Sequence, residues 1–123
     1  MDWFCREYEK TYSHISVENQ IEISEDEVPD SLKTPIFRIS QEAFNNIAKY
    51  SRASLVNFLL GKKDGIIILT IKDNGQGFDP NNVRKGMGLT TMKERAQLSG
   101  GSFDLRSEVG IGTTICAEWN VLS

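Results

Sequence analysis

The sequence predicts an α/β fold: a two-layer sandwich in which helices cover one face of a mixed β-sheet. Three observations carry this. Apolar residues alternate with polar ones over residues 15–23. They shift to a spacing of three and four over residues 32–47. Alternation then returns in two stretches, 53–72 and 103–119, each broken by a turn. A two-residue period marks half-buried strands and a three-to-four period marks a helix packed on one side. Paired strands with helices set apart suggest a sandwich; a doubly wound parallel sheet needs stricter alternation of strand and helix.

Taken in order, residues 2–12 (DWFCREYEKTY) form a candidate amphipathic helix. Ile15, Val17, Ile21 and Ile23 keep the strand period that follows, with Asn19 the exception. The acidic segment 24–30 ends near Pro29 and reads as a loop. From about residue 31 to 50, Leu32, Ile36, Ile39, Ala43 and Ile47 make a helical stripe, which Phe37, Phe44 and Ala48 widen. Pro35 is expected in the first turn of this helix, where its missing N–H costs nothing. Residues 53–62 and 65–72 are two strands joined around Lys63-Asp64-Gly65. A polar loop, 79–85, follows DNGQGF at 73–78. A helix begins near Gly88, runs to about Ser99 and stops at Gly100-Gly101. Phe103 and Leu105 alternate in the next strand, Gly110-Ile111-Gly112 turns the chain, and Ile115, Ala117 and Trp119 share one face of the last.

The 123 residues, 39% hydrophobic, amount to one domain. A net charge of −3 argues against a general nucleic-acid or membrane-surface binder. The apolar run at 66–71 is far too short to span a bilayer, and no signal peptide opens the chain. Cys5 and Cys116 fit no CxxC or zinc spacing and read as two reduced thiols of a cytoplasmic protein. There is no GxxxxGK[ST] loop and no GxGxxG directly after a strand, so a nucleotide must bind by another route.

Four short stretches could carry chemistry. Asp73 shares a strand face with Ile67, Leu69 and Ile71, which places a carboxylate on the buried side. There it could accept from an exocyclic amine such as that of adenine, with Gly75 and Gly77 letting a flat base approach the backbone. The ordinary alternative is an Asp capping its own turn before Asn-Gly, itself a strong hairpin signal. Glu42 and Asn46 lie four apart on the helix, about 40° around its axis, and Lys49 follows on the same side. Carboxylate, amide oxygen and ammonium at one rim suit a metal-phosphate site, with Asn46 offering an oxygen to Mg²⁺. The alternative is an exposed polar helix edge. Gly86 and Gly88 bracket Met87 where a loop becomes a helix, a place where N–H groups can hold phosphate. Alone they could equally be a loop end, and Gly110-Ile111-Gly112-Thr113 a hairpin turn.

Their order changes the reading. With FRISQEAFNNIAKYS (37–51), DNGQGF (73–78), GMGL (86–89) and GIGTT (110–114) in sequence, the chain resembles the ATP-binding catalytic domain of sensor histidine kinases. That family belongs to the Bergerat-fold ATPases, with DNA gyrase B, the heat-shock protein 90 chaperones and the MutL repair proteins. MKERAQLSGGSFDLRSEVGIGT (92–113) is similar to the branch that pairs with NarL-type response regulators. The resemblance covers most of the chain.

The resemblance implies roles. Glu42 matches the acidic residue proposed as base or water-orienting group, and Asn46 the Mg²⁺ ligand. Lys49 and Tyr50 match positions near the phosphates. Asp73 matches the residue that recognises the adenine amine, with Gly75 and Gly77 shaping the pocket. Gly86 and Gly88 match the phosphate-facing glycines, Leu89 closes that box, and Thr113 matches the threonine near adenine. Residues 78–85 match the ATP lid, from which Arg84 and Lys85 could reach the triphosphate. Tyr50 stands where His is frequent, and Thr91 replaces a frequent Gly.

The implied activity is ATP·Mg²⁺ binding and transfer of the γ-phosphoryl group to a histidine, for relay to a response-regulator aspartate. The dimerisation helices that carry the phospho-accepting histidine are not recognised in residues 1–123, and His14 reads as a surface histidine. The isolated domain is expected to be monomeric and cytoplasmic, with an inner-membrane anchor in the parent protein as one option. Two rival readings share the boxes: an anti-sigma-factor-type serine kinase, and a non-enzymatic ATP-sensing module.

Overall fold

The computed structural model describes residues 1–79, 81 and 88–121. Helix α1 (Asp2–Thr11) leads into strand β1 (Ser16–Ile21), and a short 3₁₀ turn (Glu25–Glu27) precedes helix α2 (Asp30–Asn46). Helix α2 runs into a wide π turn (Ile47–Ser51). Strands β2 (Leu55–Lys63) and β3 (Ile66–Asp73), helix α3 (Leu89–Leu98), and strands β4 (Gly101–Glu108) and β5 (Gly112–Asn120) complete the order. The sheet has five strands in the order β1-β2-β3-β5-β4. β1 and β2 are parallel, and the other three pairings are antiparallel. This is the mixed sheet that the alternating stretches predict.

The β2–β3 hairpin is set by its two turn residues. Asp64 (φ 52) and Gly65 (φ 77) both take left-handed conformations, which match the twist of the flanking strands. The hairpin signal therefore acts at Asp64-Gly65, and Asn74-Gly75 leaves β3 without reversing it. Register then puts Val56, Phe58 and Leu60 of β2 on the same buried face as Ile67, Leu69 and Ile71 of β3. Ile115, Ala117 and Trp119 of β5 extend that face. Onto it pack Ile36, Ile39, Ala43 and Phe44 of α2, with Met92 and Ala96 of α3. Fully burying a side chain of this size contributes roughly 1.5–3 kcal/mol, so this layer supplies most of the apolar driving force.

α3 stops where the glycines predict. Ser99 Oγ donates to the Arg95 carbonyl at 2.7 Å and accepts the Trp119 indole N–H at 2.9 Å. Gly100 (φ 85) then takes the left-handed position beyond the helix end. α1 docks through aromatic edges: Phe4 meets Phe37 and Phe44 at 5.6 and 5.2 Å. The Tyr8 hydroxyl donates to the Phe44 carbonyl at 2.9 Å.

α2 departs from expectation at both ends. It starts at Asp30, so Pro35 is inside the helix rather than in its first turn. The N–H it lacks would have met the carbonyl of Ser31, an exposed residue that water can reach. At the other end the regular helix stops at Asn46, and the last turn widens. The acidic segment is not wholly irregular: Ser24 and Glu27 form a reciprocal cap on the 3₁₀ turn. Among the described residues no helix is long and apolar enough to cross a membrane.

Candidate functional site

Between the end of α2, the start of α3 and the ends of β3 and β5 lies a cavity of about 200 Å³. Asn46 and Tyr50 line it from the α2 side, Asp73 from β3, Leu89 from α3 and Thr113 from β5. Apolar walls come from Ile71, Ile115 and Leu105. The residues singled out along 123 positions of sequence thus meet largely at one place.

Asp73 is the chemical centre. It ends the buried face of β3 and is only 4% exposed. Its Oδ1 accepts the Gly75 N–H at 2.8 Å. Burial pushes its carboxyl above the ordinary carboxylate value, while the N–H groups of Gly75 and Thr113 pull it back. The turn-capping reading therefore holds, and the same residue also lines the cavity. A flat apolar group with a donor on its edge fits such a slot, since its faces meet aliphatic walls and its donor meets one acceptor.

The glycines of DNGQGF have a use the sequence did not reveal. A Cβ on Gly75 would collide with the Ser51 carbonyl and come within 2.7 Å of the Ser51 Cβ. A Cβ on Gly77 (φ +62) would collide with the Glu108 carbonyl. Both spaces are taken by the chain's own backbone, so these glycines shape the cavity by letting its walls close. Asn74 is a latch: its Oδ1 accepts the Ser54 and Leu55 N–H groups at 2.9 and 3.0 Å.

The wide turn completes the α2 wall. The Gln76 N–H donates to the Ser51 carbonyl at 2.6 Å, and Gln76 Nε2 to the Tyr50 carbonyl. Ser51 Oγ donates to the Ile47 carbonyl at 2.9 Å. Lys49 is exposed and is not part of the cavity lining. In a π turn each residue advances less around the axis, so the seven-residue spacing from Glu42 no longer returns to the same side.

Glu42 is half-buried and lies against Gly88, whose left-handed backbone (φ +67) caps α3. Neither lines the cavity; together they form the contact between α2 and α3 beside it. Gly86, Arg84 and Lys85 lie outside the described residues. His14 is exposed after α1, and Cys5 is buried in the core, where burial raises its thiol to about 11. Among the described residues no group of three His, Cys, Asp or Glu side chains could hold a metal ion.

Sequence reasoning missed Gln76 and Ser107. Ser107 Oγ accepts the Phe78 N–H at 2.8 Å and lies 2.8 Å from Thr113 Oγ1. The two-residue period of Phe103 and Leu105 puts it on their inward face, but its partners at Phe78 and Thr113 emerge only from the fold.

Residues 31–122 match the family described as "Histidine kinase-, DNA gyrase B-, and HSP90-like ATPase". The chain is 38% identical over 95 residues to the sensor histidine kinase LiaS of Bacillus subtilis, covering 76% of this chain and 26% of LiaS. It is 33% identical over 93 residues to the histidine-protein kinase/phosphatase UhpB of Salmonella typhimurium, covering 76% of this chain and 19% of UhpB. The chain thus spans about a quarter or less of these relatives. Its fold is that of the blue-light activated histidine kinase of Erythrobacter litoralis (TM-score 0.82, 18% identity, 98% of this chain, 40% of that one). A mycobacterial sensor histidine kinase, MprB, superposes with TM-score 0.69 at 21% identity over 96% of this chain and 89% of that one. A match running from the start of α2 to the last strand, with the cavity enclosed between them, makes this chain a member of the histidine kinase-, DNA gyrase B- and HSP90-like ATPase family.

Proposed function

We propose that this chain is the ATP- and Mg²⁺-binding catalytic domain of a sensor histidine kinase. In that setting it transfers the γ-phosphoryl group of ATP to a histidine on the dimerisation helices, from which a response-regulator aspartate takes it. One observation carries the reading: a buried carboxylate, Asp73, at the base of a slot walled by aliphatic side chains. Adenine has flat faces and an edge amine, and Asp73 is its acceptor.

Motif order, together with position for Asn46 and Tyr50, supports the other roles. Asn46 and Tyr50 stand at the cavity wall on the α2 side, where the phosphates leave the base. A lone amide oxygen fits Mg²⁺ held mainly by phosphates and water, since this ion keeps several waters and takes few protein ligands. When bound, Mg²⁺ supplies charge neutralisation on the phosphates. The match of their motifs to the family assigns Gly86, Gly88 and Lys49 to the phosphates. Glu42 orients or deprotonates the attacking imidazole nitrogen. As the new P–N bond forms, the bond to the β-phosphate oxygen breaks and ADP leaves with that oxygen. Such a reaction needs positioning and charge neutralisation more than covalent catalysis.

The test is transfer in trans. With labelled ATP, the chain alone labels nothing on itself and gains acid-labile phosphate on added acceptor helices. Acid-stable phosphate on a serine-bearing acceptor, or no transfer at all, would refute the histidine-kinase reading.

A further inference from the structure

Three strands place Asp73, Thr113 and Ser107 in one row. Asp73 is the cross-strand partner of Thr113 between β3 and β5, and Ser107 is the partner of Thr113 between β4 and β5. Directly opposed residues point to the same face with Cβ atoms about 5 Å apart. The row therefore carries a carboxylate and two hydroxyls along the cavity floor. Thr113 lines the cavity, and Ser107 stands behind it.

The Ser107–Thr113 hydrogen bond in this row can run in either direction. A hydroxyl has one proton to donate and two lone pairs to accept with. Ser107 Oγ accepts the Phe78 N–H at 2.8 Å. Its one proton has two possible acceptors: Thr113 Oγ1 at 2.8 Å and the Gly112 carbonyl at 3.4 Å. Only the first lies within the normal range of about 2.5–3.0 Å for O–H···O bonds. Donation to Thr113 is the shorter option and leaves Thr113 its own proton for the cavity, whereas donation to the Gly112 carbonyl would reverse the pair. The Thr113 backbone N–H is already engaged with Asp73. With Ser107 as the donor, the floor shows a ligand one acceptor, Asp73, beside one donor, the Thr113 hydroxyl.

We infer that Ser107 is a positioning residue for base recognition. By accepting from Phe78 and donating to Thr113, it turns the Thr113 hydroxyl into a donor aimed at a ring nitrogen of the base. Adenine matches that pair: its amine donates to Asp73 and the adjacent ring nitrogen accepts from Thr113. The relay also ties base recognition to Phe78, the residue at which the segment leaving β3 meets β4. Hydrogen bonds in such a chain polarise one another. This inference rests on the proposed ATP site.

Titration of the intact chain with ADP tests it. Ser107→Ala should weaken ADP about tenfold, the loss expected for one hydrogen-bonded link. Ser107→Thr, which restores the hydroxyl, should bind within about twofold of wild type. In a Thr113→Val background, Ser107→Ala should cost nothing further, because Ser107 acts through Thr113. With 1-deaza-ADP, whose ring lacks the accepting nitrogen, wild type and Ser107→Ala should bind alike. If Ser107→Ala fails to fold, Ser107→Cys keeps the shape with a feebler donor and carries the same comparisons. Wild-type affinity in Ser107→Ala, or an undiminished loss in the Thr113→Val background or with 1-deaza-ADP, overturns the inference. Asp73→Ala separates it from the reading beneath: if that variant loses ADP while Ser107→Ala does not, the ATP site stands and the relay falls. No ADP binding by wild type removes both.

Discussion

The side chain of Glu42 fills the space where a Cβ on Gly88 would sit: such a carbon would lie 2.6 Å from the Glu42 carboxyl carbon. Gly88 also holds φ at +67, in the left-handed region. One residue thus meets two demands that glycine alone satisfies, and the reward is that α3 starts directly against the last turns of α2. Gly88→Ala should therefore fail twice. The left-handed backbone costs roughly 1–2 kcal/mol for a residue with a Cβ, and Glu42 must move. We expect a lower urea midpoint by that order and slower phosphoryl transfer to acceptor helices. Wild-type stability in this variant would show that the contact has slack.

Asp73 sets function against stability. Burial holds its carboxyl above the ordinary value, so the folded protein binds this proton more tightly than the unfolded chain does. Stability therefore falls as pH rises from the ordinary carboxylate range through the raised value, and stays lower beyond it. Asp73→Asn carries no charge to bury and can still accept the Gly75 N–H through its amide oxygen. It should melt above wild type at pH 7, with the gap closing at acidic pH where Asp73 is protonated. The same variant should bind ADP at least about tenfold more weakly, since a charge-assisted bond is lost. A melting difference that is constant with pH would disprove the linkage.

Asn46 separates metal from base. Calorimetric titration of ADP with and without Mg²⁺ should give Asn46→Ala close to wild-type affinity in chelator, and a loss of the Mg²⁺-dependent gain. Asp73→Ala should lose affinity under both conditions. Equal affinity in all three proteins would remove the site assignment.

Tyr8 is a purely structural case. Its hydroxyl donates to the Phe44 carbonyl inside the core, and burial pushes the phenol well above its ordinary value. Tyr8→Phe leaves that carbonyl its Ile47 N–H partner and removes one hydrogen bond, at a cost of about 0.5–1.5 kcal/mol. Denaturant unfolding should show this loss while ADP affinity in the folded protein stays within about twofold.

Particular residues show what could be read from the sequence and what could not. The strand face Ile67–Leu69–Ile71–Asp73 was legible because a two-residue period is a local property. So was the α3 stop at Gly100, which depends on one residue's conformational freedom. The wide turn at Ile47–Ser51 was not, because Ile47 and Ala48 continue the helical stripe without a break. It is held by partners far along the chain, Gln76 above all. The same holds for Ser107, whose significance depends on a register between strands. The box residues Asp73, Asn46 and Thr113 were found by type and order, whereas Lys49 was placed by a helical count that the turn interrupts.

The outer border of β1 has a consequence for how this domain lives with its neighbours. Ser16 and Glu22 direct their N–H groups inward to β2, which leaves that of Val17 pointing outward. Glu9 of α1 reaches across to accept it at 3.1 Å, and Asp2 holds the Asn19 side chain at 3.2 Å. A bare margin is a template for a foreign strand. Here the leading helix hems it at Val17 and Asn19, which makes that margin a poor site for a second sheet to join.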